Sequence, residues 1–158
     1  MSNSSYPLKV AILALPEASV STVYGMYDLF ASTGRDWEMI VNGEPGSTVI
    51  EPYTVSTNGR RFQAGNGVWI EPDHALENSP APDVICIPEL QVGPATDTRG
   101  CYERETRWIK RHYAAGATLA TACSGALLLA ETGLLDGQDA TTHWGYIDAL
   151  TSRYPGIH

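Results

Sequence analysis

The sequence predicts a single α/β domain whose sheet is doubly wound, mostly parallel and flanked by helices. Three observations predict it. Nearly continuous apolar runs recur at residues 8–15, 84–87 and 117–122, the pattern of strands buried on both faces rather than alternating in and out. Segments of helical spacing separate these runs, and parallel strands need such crossovers. The length, 158 residues, fits one domain spanning 1–158.

Each element follows from its residues. LKVAILAL at 8–15 reads as the first strand. Ser19 or Ser21 is placed to cap the helix behind it. That helix carries Val20, Val23, Tyr24, Tyr27, Leu29 and Phe30 at helical spacing, with Gly34 where a helix ends. Residues 37–41 read as a second strand. Residues 42–67 are rich in Gly, Pro, Thr and Asn and predict short strands and turns, among them 52–56, with 68–70 just beyond. After Pro80, Pro82 and Asp83, residues 84–87 form the next buried strand, followed by a loop at 91–100. Tyr102, Thr106, Ile109 and Tyr113 line one side of an amphipathic helix over 102–115, and Gly116 ends it. A strand of small and apolar residues at 117–122, a helix at 125–132, a short strand at 140–142 and a helix at 145–153 complete the order.

Composition narrows the partners. With 18 acidic and 10 basic side chains the formal net charge is −8, and the densest basic stretch, 104–111, is interrupted by Glu105. A polyanion needs concentrated Lys and Arg, so contact with DNA is expected only through a separate domain. Three cysteines without a close pair argue against a disulfide framework and for a reducing, cytoplasmic setting. The start lacks the features of a signal peptide, and no apolar stretch is long enough to span a bilayer. Neither zinc spacing nor a glycine fingerprint after the first strand is present, so no metal and no cofactor is expected.

The segment that carries chemistry is ATLATACSGALLLAETGLLDGQDATTHW, residues 117–144. A strand ends at Ala122 and a helix begins beyond Cys123. The small residues Gly125 and Ala126 let strand and helix approach closely. This is a cysteine version of the nucleophile elbow, in which a strained turn lifts a side chain over the sheet edge. Backbone N–H groups at the helix start would favour the thiolate, the reactive form.

ATACSGALLLAETGLLDG followed by ATTHW resembles the ThiJ/PfpI superfamily, also called class I glutamine amidotransferase-like. Within it, the likeness is to the N-terminal domain of GlxA-type AraC-family transcriptional regulators. The opening VAILALPEASVSTVYGMYDLF resembles the start of that family. The resemblance spans the whole chain, strongest over 117–148 and weakest over 42–82. It implies a flavodoxin-like fold in which Cys123 matches the reactive cysteine and His143 a histidine that approaches it. It also implies further chain beyond this sequence, a strand and a helix and then a helix-turn-helix domain.

Three departures separate this sequence from the family's enzymes. Ser124 stands where peptidase-like members have histidine. Thr22 stands where hydratase-like members have a carboxylate. Amidotransferases take their His and Glu from farther downstream than this chain reaches. Glu89, at the end of the central strand, is the candidate substitute acid, and Glu17 a weaker one.

The expectation is therefore a ligand-sensing regulatory domain, a homodimer, binding a small molecule over Cys123. His143 and Glu89 would flank the thiol, as catalytic or ligand-contacting groups. Ser124, Gly125, Thr22 and Leu90 would contact the ligand. The alternative is a cysteine-dependent hydrolase or lyase of the same superfamily, acting as a glyoxalase, an amidase or an isocyanide hydratase.

Overall fold

The computed structural model describes residues 7–158. A five-stranded sheet runs in the order β5-β2-β1-β6-β7. Its strands are β1 (Leu8–Leu13), β2 (Ile50–Ser56), β5 (His74–Ala75), β6 (Val84–Ile87) and β7 (Thr118–Thr121), and every pairing is parallel. A separate antiparallel pair joins β3 (Phe62–Gln63) to β4 (Trp69–Ile70). The helices are α1 (Val20–Ser32), α2 (Asp36–Asn42), α3 (Glu103–Ala114), α4 (Gly125–Glu131) and α5 (Ile147–Arg153), with a 3₁₀ turn at Trp144–Tyr146. Among the described residues no helix is long and apolar enough to cross a membrane.

The core forms where the apolar runs predicted it. Ile12, Leu13, Val55, Ile85 and Ile87 are fully buried in the sheet. α1 packs on β1 and β2, and α4 on β6 and β7. Val23, Ile109 and Leu128 supply the helical side of the main core. Leu127 and Ala130, on the other side of α4, pack with Ala149 and Leu150 of α5 and with Ile157. α4 is thus enclosed from two directions.

The structure corrects three expectations. Residues 37–41 are not a strand but the body of α2. Asp36 and Glu38 fall in its first turn, where carboxylates suit a helix start, and Gly43 closes it at φ 76°. The place beside β1 is taken by Ile50–Ser56. Residues 140–142 form no strand: Ala140 N donates to His158 O (2.9 Å), so that segment is held by backbone outside the sheet. Finally, β7 is the edge of the sheet. Its Thr118, Ala120 and Thr121 are exposed and only Leu119 is half-buried, so the run 117–122 is small rather than enclosed.

Candidate functional site

β1 is paired to β2 on one side and to β6 on the other, so the chain reverses its direction of travel across the sheet between β1 and β6. Crevices outside the carboxyl ends of strands at such a reversal are where open α/β sheets bind ligands. Both loops that leave this edge are tied together. Ala18 and Leu90 form an antiparallel bridge, Gln91 N donates to Glu17 O (2.6 Å), and Ser19 N donates to Glu89 O (3.4 Å). α1 starts from the same knot, with Thr22 N donating to Ser19 O (3.1 Å).

The turn after β7 is built onto this knot. Ser124, 1 % exposed, both accepts from Leu90 N (2.9 Å) and donates to Leu90 O (2.8 Å). One hydroxyl thereby satisfies the amide and the carbonyl of a buried residue. Gly125 lies so close to β6 that a Cβ there would meet Pro88 O at 2.6 Å and Ile87 O at 2.7 Å. Between these contacts the chain turns sharply. Among the described residues Cys123 alone, apart from glycines, has a positive φ, 55°. An L-residue in that region carries backbone strain of order 1 kcal/mol or more, and here the bonds of Ser124 and the close packing of Gly125 hold it.

A third segment closes the edge. Thr142 Oγ1 donates to Cys123 O (3.0 Å), which sets residue 143 beside the turn. His143 itself is exposed. Its Nδ1 accepts from Gly145 N (3.2 Å), and its ring lies against Trp144 and Tyr146 at centroid separations of 5.2 and 6.0 Å. Tyr146 OH donates to Val92 O (2.6 Å), which fastens the 3₁₀ turn to the loop after β6.

The backbones of Thr22, Glu89, Leu90, Cys123, Ser124, Gly125 and His143 therefore gather on one edge, linked by the bonds just described. Their side chains differ in use. Ser124 and Gly125 are committed to packing the turn. Glu89 and Thr22 are half-buried. The Cys123 thiol is also half-buried, and among the described residues the hydrogen bonds that reach this residue go to its backbone carbonyl. Cys86, in β6, differs sharply: it is 3 % exposed, and burial pushes its thiol up to about 11. Sequence reasoning missed Ser19, Thr142 and Tyr146 as parts of the edge. Thr142 stands next to the predicted histidine, but nothing in its spacing signals a bond back to residue 123. Among the described residues no group of three or more His, Cys, Asp or Glu side chains could hold a metal ion.

Comparison with known proteins agrees with this architecture. The model of the DJ-1/PfpI family matches residues 9–157. The chain is 31 % identical over 144 residues to isonitrile hydratase of Pseudomonas putida, covering 90 % of this chain and 55 % of that protein. It is 28 % identical over 118 residues to the HTH-type transcriptional regulator GbdR of Pseudomonas aeruginosa, covering 75 % of this chain and 31 % of that one. The crystal structure of an AraC family transcriptional regulator from Pseudomonas putida superposes with a TM-score of 0.71 at 17 % identity, over 96 % of this chain and 75 % of that chain. The chain thus spans about a third of the length of one of these two curated relatives and just over half of the other.

Proposed function

The chain belongs to the DJ-1/PfpI family, and on that premise we propose that it is the small-ligand-sensing part of an AraC-class transcriptional regulator, with little or no turnover of its own. DNA is contacted by a separate domain, and two copies of this domain pair in the working regulator. The observation that carries the reading is the state of the acid–base partners around Cys123. Thr22 offers no carboxylate. His143 is exposed, with Nδ1 engaged by the Gly145 amide. A general base must lie within hydrogen-bond reach of the proton it takes, and among the described residues the hydrogen bonds that reach Cys123 go to its carbonyl rather than its thiol. The elbow persists as a rigid, strained floor on which a small molecule is read, with Glu89, Leu90 and Thr22 at its wall. The net charge of −8 suits this division of labour, since the polyanion is left to another domain.

The likeness to isonitrile hydratase favours a second reading, an enzyme that uses Cys123 as nucleophile. Assay of the purified protein on isonitriles, glyoxals and small amides separates the two, with Cys123→Ala as control. Sensing predicts no turnover that depends on Cys123. Turnover of about one per second, an ordinary enzyme rate, abolished in the alanine variant, would establish the enzyme instead.

A further inference from the structure

A hollow of about 330 Å³ opens along α3, lined by Arg104, Arg107, Trp108 and Arg111 of the helix and by Leu76 and Glu77 of the segment after β5. None of these residues takes part in the edge at Cys123. The three arginines stand at positions i, i+3 and i+7 of one helix, a spacing that places them on a single face. In the sequence the basic stretch 104–111 is interrupted by Glu105. In the fold Glu105 is 4 % exposed and is met by the Thr57 hydroxyl. The interruption is withdrawn from the surface, and the face that remains is basic. A chain with 18 acidic and 10 basic side chains thus sets three of its arginines around one concavity.

The positive charge there is largely uncompensated. The ion pairs of the described residues are Arg35–Asp36, Arg99–Asp97 and Arg104–Glu77, so Arg107 and Arg111 have no carboxylate partner. Arg111 Nη2 donates instead to His112 Nε2 at 3.4 Å, and that imidazole is held below its usual pKa by burial and then by the Arg111 charge. Like charges one helical turn apart repel, and an anion between them removes the repulsion. The floor of the hollow is apolar. Leu76 and Trp108 are 4 % and 3 % exposed. The Trp108 indole is fixed by Nε1 donating to Ser79 Oγ (3.3 Å) and by the His112 ring set edge-on at 4.8 Å. An apolar floor under a charged rim keeps water from one side and strengthens the pull on an anion. Guanidinium forks grip the paired oxygens of a carboxylate or a phosphate. A hollow at the lower end of size for small-molecule sites, rimmed by several such forks, selects a small molecule with more than one negative charge.

We propose that this hollow is a second binding site, for a small organic dianion, a phosphate monoester or a dicarboxylate, seated between Arg107 and Arg111 and bordered by Arg104. The site goes beyond the sensing reading and does not rest on it. Glu77 restrains it from within. By holding Arg104 at 2.9 Å, that carboxylate competes with the incoming anion, and loss of its charge frees a third guanidinium.

Calorimetric titration of the whole chain at constant ionic strength tests this, with methyl phosphate, malonate, succinate and glutarate as dianions and acetate as the single-charge arm. At least one dianion is expected to bind saturably, and acetate at least about tenfold more weakly. Saturation by methyl phosphate assigns a phosphate ligand, and saturation by one dicarboxylate length assigns a pair of carboxylates. Arg107→Ala and Arg111→Ala are each expected to weaken the dianion by about tenfold or more, and Glu77→Gln to tighten it by about threefold or more. Arg60→Ala, which removes an exposed arginine outside α3, and Cys123→Ala are expected to leave it unchanged. Arg107, Arg111 and Glu77 are exposed, so their variants keep the fold, which unchanged unfolding curves verify. Should one arginine variant unfold, the other and Glu77→Gln carry the test. Absence of saturable binding by every dianion would overturn the proposal. So would equal affinity for acetate, binding indifferent to both arginine variants, weaker binding in Glu77→Gln, or an equal loss in Arg60→Ala, which would trace the binding to the general field of the protein.

Discussion

α2 and α4 are both seven residues long, and both are largely apolar, DWEMIVN against GALLLAE. Their fates are opposite. Residues 125–130 of α4 are all buried, whereas α2 buries none of its residues, and Trp37 and Ile40 are 70 % and 78 % exposed. Composition does not decide between these outcomes. What decides is close approach. α4 begins with a glycine pressed against the carbonyls that end β6, and α5 covers its far side. α2 lies in the connection between α1 and β2, and the polar contacts around it are local: Arg35 to Asp36 (2.7 Å), Asn42 to Glu38 (2.5 Å) and Gly46 N to Arg35 O (3.0 Å). The enclosed helix is the one that follows the turn at Cys123.

Substitutions sharpen this contrast. The largest effect is expected from Gly125→Val, because its Cβ would overlap two backbone oxygens that cannot move without disturbing β6. Overpacking commonly costs about 1–3 kcal/mol and more where backbone must shift. The upper end or beyond is expected, read as loss of a cooperative denaturation curve. Leu128→Ala empties a fully buried position and is expected to cost about 2–5 kcal/mol in the same measurement. Ile40→Ala, on the exposed face of α2, is expected to stay within about 0.5 kcal/mol of wild type. Should Ile40→Ala cost as much as Leu128→Ala, the contrast breaks, and the apolar face of α2 is covered in solution.

Much of the architecture is legible in the sequence because burial on both faces leaves a plain mark. β1 and β6 fall inside runs with almost no polar residue, and both are enclosed. The turn at Cys123 is legible for a related reason: a strand, a small-residue pair and a leucine-rich helix follow each other without a loop. The 37–41 segment misleads because five residues rich in large apolar side chains suit a strand or one helical turn equally. The deciding signals there are Asp36 before the run and Gly43 after it. The side-chain geometry of the edge is less legible. Ser124 reads as a ligand contact in the sequence, yet its hydroxyl is consumed by Leu90. Residues 34 positions apart along the chain meet there, and no local pattern reports such a meeting.

Among the described residues β7 pairs with β6 alone. Thr118 N and Ala122 N both donate to the β6 side, to Asp83 O and Ile87 O at 2.9 Å each. Strand geometry alternates every residue, so the amides of Leu119 and Thr121 turn toward solvent. In heavy water these two exchange like loop amides although they belong to a strand. A strand added beyond β7 would find its first free amides at residues 119 and 121, since Thr118–Thr121 holds no lysine or proline to block such pairing.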